Sequence, residues 1–127
     1  MLRLRHSALW LAASAGWLGL VVWGSLQTSV DLPVPGGFDK VEHFGAYAFL
    51  MVWFGGMFAK SRYVGIALGL LALGLAMEVG QFLMAAGRQA DPYDMAANAT
   101  GVVLGLVASR WITGGWTPRV EAWLAPN

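Results

Sequence analysis

Four long apolar runs, set apart by short polar breaks, leave this chain of 127 residues few ways to fold. The runs cover residues 7–26, 39–59, 63–86 and 91–112. Each is close to or longer than the roughly 20 residues that an α-helix needs to cross a bilayer. Only 12% of the residues are charged, and mean hydropathy is +0.59. A soluble domain carries about a quarter of its residues as charges. The pattern predicts an all-α fold, a single integral membrane bundle of four transmembrane helices over residues 1–127. The absence of cysteine excludes disulfides, thiol catalysis and cysteine-type metal sites. The sequence carries no phosphate loop, nucleotide fingerprint or serine elbow, and no feature calls for a cofactor. The few basic residues read as topology signals, which gives nucleic-acid binding no support.

The breaks set the boundaries. Arg3 and Arg5 precede the first run. A basic stretch before an apolar one also describes a signal peptide, but this run is longer than the usual apolar core and no small-x-small cleavage site follows it, so it reads as an uncleaved span. Pro33, Pro35, Gly36 and Gly37 interrupt the chain before the second run. That run opens at Asp39, a candidate helix cap, with Glu42 three residues later completing a capping box. Lys60 and Arg62 form a short basic turn, and residues 87–90 a second loop. The fourth run opens on Asp91-Pro92, a cap followed by the proline that a first helical turn favours, with Asp94 in the same turn. The tail holds Trp116 and Trp123, which suit a membrane interface, and has room for one short interfacial helix.

The charges orient the bundle. Arg3, Arg5, Lys60, Arg62, Arg110 and Arg119 fall on one side, and only Lys40 and Arg88 on the other. The excess of basic residues marks the cytoplasmic side, so both termini are expected inside. The outer side then collects Asp31, Asp39, Glu42, Asp91 and Asp94.

Polar residues within apolar runs are costly in lipid and need a reason. Asp39, His43 and Tyr47 are spaced four apart and form a stripe on one helix face, with Lys40 on the adjoining face. Taken singly, Asp39 is a cap, His43 a satisfied polar group and Tyr47 a belt aromatic. Glu78 and Gln81 share a face of the third run, with Glu78 about 8 residues, or roughly 12 Å, from its outer end. A carboxylate there faces the bundle interior, either as a structural pair or protonated acid, or as a ligand contact or acid/base group. Asp94, Asn98, Gly101 and Gly105 fall in one narrow strip of the fourth helix. Its glycine half is a small-x-x-x-small seam for close packing, and its polar half should then face the same neighbour. Arg88 is either solvated surface, a partner for Glu78 or Asp94, or a bidentate grip on a ligand phosphate or carboxylate. Glu78, His43 and Asp94 are expected to approach one another, with Asn98 and Gln81 as amide partners and Arg88 above.

These residues resemble a known family. Asp39-Lys40-Val41-Glu42-His43-Phe44-Gly45-Ala46-Tyr47 is similar to the DKxxHfxxY segment of VanZ-like membrane proteins. Glu78-x-x-Gln81, then Arg88, Asp94, Asn98, Gly101 and Gly105, is similar to that family's second motif. The two segments cover roughly half of the chain; Asp91-Pro92 and the Trp-rich tail lie outside the likeness. The resemblance implies a multi-pass protein of the bacterial cytoplasmic (inner) membrane. The family is named for a member associated with resistance to teicoplanin-type glycopeptide antibiotics.

Three functions remain open on the sequence. The first is an envelope protein binding a polar, lipid-linked or anionic ligand in an outward pocket lined by Asp39, Lys40, His43, Tyr47, Glu78, Gln81, Arg88, Asp94 and Asn98, with membrane lipids as its other partners. The second is an intramembrane enzyme acting on a lipid head group, with Glu78 or His43 as base, or with a metal held by Asp39, His43, Glu78 and Asp94 as a variant. The third is a polar core without ligand. The sequence leaves the oligomeric state open.

Overall fold

In a computed structural model the chain is helical, with no strand among the described residues, which are 1–26, 38–84 and 91–125. The order is α1 (Ser7–Leu26), α2 (Phe38–Met57), a 3₁₀ turn (Lys60–Arg62), α3 (Tyr63–Leu83), α4 (Pro92–Ala108) and α5 (Trp116–Leu124). A π-helical segment, Ser109–Thr113, prolongs α4 before Gly114 and Gly115. Gly115 has φ of 70°, a left-handed conformation that costs glycine little. The sequence-predicted runs and the short tail helix are thus present. Asp31, the proline-glycine stretch before α2 and Arg88 lie outside the described residues.

Two helix ends differ from expectation. The second helix begins at Phe38, so Asp39 lies inside the first turn and not at the cap. There its charge complements the unpaired N–H groups of the helix start. The third helix ends at Leu83, where the Met84 N–H closes the last turn on the Gly80 carbonyl at 3.0 Å. Glu78 is therefore five residues from the end of its helix, about 7.5 Å at 1.5 Å per residue, and shallower than expected.

Among the described residues, three segments are long and apolar enough to cross a membrane: Ser7–Leu26, Lys60–Leu83 and Pro92–Thr113. The second helix has comparable length but opens with Asp39, Lys40, Glu42 and His43, which lowers its apolarity. It also holds the centre of the molecule. Tyr47, Leu50 and Met51 of α2 are almost fully buried and pack with Tyr63, Ala67 and Leu70 of α3 and Val102 of α4. The outward faces of the other helices stay apolar and exposed, as at Leu68, Leu75 and Phe82 of α3 and Val103 and Val107 of α4.

The glycines of α4 explain its position. A Cβ on Gly101 would strike the Phe44 carbonyl oxygen and lie 3.0 Å from Ala48 N. One on Gly105 would lie 2.7 Å from Met51 Cβ and 2.8 Å from Ala48 O. The neighbour served by the small-x-x-x-small seam is therefore α2, whose backbone approaches too closely for any side chain.

The opposite end is closed by aromatic rings and the tail. Trp10, Trp53 and Trp116 meet with centroids 5.4–5.8 Å apart. Trp53 Nε1 donates to Ser14 Oγ at 2.9 Å and Trp116 Nε1 to the Val52 carbonyl at 3.1 Å. Trp116 is thus turned inward to satisfy its indole N–H. Trp123 remains exposed. Glu121 of α5 receives the N–H groups of Arg5 and His6 at 2.6 and 2.8 Å, and Trp10 Nε1 at 2.9 Å. A carboxylate from the tail thereby serves the amide donors just before α1, where helix starts favour negative charge.

Candidate functional site

The site lies at the other end, where α2 begins, α3 ends and α4 begins. Lys40 is its hub. Its ammonium donates to Asp91 Oδ2 at 2.8 Å, Asp94 Oδ1 at 3.1 Å and Asp39 Oδ2 at 3.3 Å. Asp91 uses its second oxygen to cap α4, accepting from Tyr93 N at 2.8 Å. One residue thus holds both the helix start and the lysine. Asp94 is buried, and its Oδ2 lies 3.7 Å from His43 Nε2, which is ion-pair distance but beyond a hydrogen bond. The close approach at Gly101 and Gly105 sets this geometry, because the same strip of α4 carries Asp94 and Asn98 two and one turns further out.

Glu78 faces inward and is 5% exposed. Its Oε2 accepts from the Asp91 backbone N–H at 3.2 Å, linking α3 to the entry of α4. Deeper still are Tyr47 and Asn98, each 1% exposed. The Tyr47 hydroxyl and Asn98 Oδ1 have no hydrogen-bond partner. Both pack closely over Gly74, where a Cβ would lie 3.2 Å from Asn98 Nδ2 and 3.4 Å from the Tyr47 hydroxyl. Burying such a group unpaired costs roughly 1–3 kcal/mol.

The structure therefore brings together Asp39, Lys40, His43, Glu78 and Asp94 at one end, with Tyr47 and Asn98 beneath. Gln81 departs from expectation. Its amide donates to the Ser25 carbonyl at 2.6 Å, tying α3 to the C-terminal end of α1 and away from the Lys40 cluster. Sequence reasoning counted Asp91 among the polar residues of this end but not among those lining the pocket, and it did not mark Gly74. Asp91 reads as a cap there, and nothing in its spacing predicts the reach of a lysine 51 residues earlier. Gly74 sits among many glycines in an apolar run, and only the packing distinguishes it.

The electrostatics of this end are lopsided. Among the described residues, five carboxyl side chains (Asp39, Glu42, Glu78, Asp91 and Asp94) meet one lysine and one histidine. Such a site attracts cations or hydrogen-bond donors. No group of three or more His, Asp or Glu side chains is arranged to hold a metal among the described residues, so the metal variant gains no support. Compared with family models, curated proteins and solved structures, the chain gives no match.

Proposed function

We propose that the chain is a VanZ-like, four-span protein of the bacterial cytoplasmic membrane, with both termini inside, which binds a polar or lipid-linked envelope ligand in an outward-facing pocket. The observation that carries the reading is the pair of buried, unpartnered polar groups, Tyr47 Oη and Asn98 Oδ1, beneath the titratable cluster of Lys40, His43, Asp91 and Asp94. Buried polar groups are nearly always satisfied, so orphans in a charged recess point to a ligand or its water. The central position of α2 supports the fourth span: flanked by neighbours, it needs less apolar surface than the helices around it. The resemblance links the pocket to the cell envelope, and to glycopeptide resistance as one use of it.

Two experiments test this. Tyr47→Phe and Asn98→Leu remove the orphan groups at near-constant volume. As ligand contacts, both should lose the lipid or envelope compound that co-purifies with the wild type, read by native mass spectrometry, while thermal stability in detergent holds or rises. Undiminished co-purification in both variants would refute the pocket. For topology, the cysteine-free chain accepts single cysteines at Val34, Gln89 and Ser61. The first two should react with an impermeant reagent in intact cells, and Ser61 should not; the reverse pattern turns the pocket to the cytoplasm.

A further inference from the structure

A cleft of about 500 Å³ separates α1 from α2 at the same end, within the range of small-molecule sites. Its walls are Trp17 and Leu20 on α1 and Phe49 on α2; Asp39, Glu42 and His43 form the rim. Trp17 and Phe49 meet edge to face at 4.9 Å and close the floor. The cleft is held open by missing side chains, since a Cβ on Gly24 or on Gly45, which face it from either side, would meet nothing within 4 Å.

Its dimensions match a lipid. Phe49 is ten residues along α2 from Asp39, about 15 Å at 1.5 Å per residue. That is half of a hydrocarbon core of about 30 Å, the depth of one leaflet's acyl chains. The polar rim and apolar shaft therefore line up with a head group and a single tail. The rim also selects a charge. Lys40 is engaged most closely by Asp91 and Asp94 and reaches one oxygen of Asp39 at 3.3 Å, which leaves the other, half-exposed Asp39 oxygen and the exposed Glu42 carboxylate at the cleft mouth. Tyr47 lines the cleft as well, and the same side chain carries its buried, unpartnered hydroxyl to Asn98 and Gly74 on the inner side.

We propose that this cleft is the lateral entrance to the pocket and holds one acyl chain of an outer-leaflet lipid with a primary-amine head group, the amine resting on Asp39 and Glu42. The proposal rests on the pocket reading above and names the ligand's class and route.

The test uses the purified full chain, delipidated in detergent and titrated with phosphatidylethanolamine or phosphatidylglycerol of identical acyl chains. Bound lipid is counted by native mass spectrometry. The wild type should prefer the amine lipid by about tenfold or more, the weight of one charge-assisted hydrogen bond. Gly45→Leu puts a side chain into the cleft from a position where a Cβ meets nothing within 4 Å, so it should abolish retention with an unchanged unfolding temperature. Gly24→Leu, from the opposite wall, should do the same if Gly45→Leu folds poorly. Asp39→Asn with Glu42→Gln should bring the two lipids within about twofold of each other while tail binding persists, because only the charge-assisted contacts are removed. Equal retention of both lipids by the wild type, or full retention by folded Gly45→Leu and Gly24→Leu, overturns the proposal. If that occurs while Tyr47→Phe still loses its co-purified ligand, the entrance is wrong and the pocket stands. If no variant loses ligand, both fall.

Discussion

The second helix presents two unlike faces, both marked by glycine. Towards α4 the backbones touch, and any Cβ on Gly101 or Gly105 would collide with Phe44, Ala48 or Met51. Towards α1 the helices part, and Gly24 and Gly45 border open space. Within a membrane, helix association depends on packing more than on escape from water, so a glycine marks close contact only where the partner's backbone comes in to meet it. The first face is a fixed seam that sets where Asp94 and Asn98 stand. The second is a gap with a polar rim.

The strongest way to break this contrast is to put the same side chain on both faces. Gly101→Leu or Gly105→Leu must separate α4 from α2, and overpacking of this kind costs about 1–3 kcal/mol or more. The expected outcome is a large fall in unfolding temperature in detergent. Gly45→Leu should leave that temperature unchanged. Equal losses at all three positions would mean that the cleft is closed in the membrane; wild-type stability in both α4 variants would mean that the seam is not a packing surface.

The next effect concerns the charges that the seam brings together. Lys40 serves three carboxylates, one of them the buried Asp94. Lys40→Met leaves Asp94 with His43 as its charged neighbour among the described residues, and a buried charge that loses a partner is strongly unfavourable. The unfolding temperature should fall, by less than for Gly101→Leu, because the Lys40 and Asp91 side chains are 35% and 34% exposed and water compensates in part. Adding Asp94→Asn should recover much of the loss. Additive losses in the double variant would show that the two residues do not act on each other.

Much of the seam was legible in the sequence, because its signal is local. The offsets from Asp94 to Gly105 define one strip on any helix, and one strip meets one neighbour. The inward turn of Glu78 was equally legible, since the cost of a carboxylate in lipid leaves no other direction. What escaped depends on distances between segments. The double use of Asp91 requires the start of α2 to stand against the start of α4, and the diversion of Gln81 requires the Ser25 carbonyl beside the end of α3. The two roles of glycine are identical in sequence: Gly45 and Gly101 differ only in whether a neighbour arrives. Residue type alone does not give the partners of Trp116, which are the Val52 carbonyl and the Trp10 and Trp53 rings.

The smallest effect belongs to the far end, where α5 and the residues before α1 meet at Glu121, away from the seam and the cleft. Partial desolvation pushes the Glu121 carboxyl up, but the His6 and Arg5 amides, the Trp10 indole and the charge of His6 outweigh it, so it titrates below its ordinary value of 4.5. A carboxyl with a depressed folded value adds stability that is present above its unfolded value and is lost as pH falls through the folded one. The contact should therefore hold at neutral pH and loosen progressively below about 4.5. Because Trp10 both donates to Glu121 and stacks on Trp53 and Trp116, loosening should appear as a change in tryptophan emission and as faster amide exchange at Arg5 and His6. Glu121→Gln should already show part of that change at neutral pH and respond less to acid. Ligand retention at the opposite end should be unaltered by Glu121→Gln at neutral pH, since no residue of the Lys40 cluster touches α5 through this carboxylate. An equal loss of ligand would mean that the two ends are coupled through α1 and that the cleft is not set locally by its glycines.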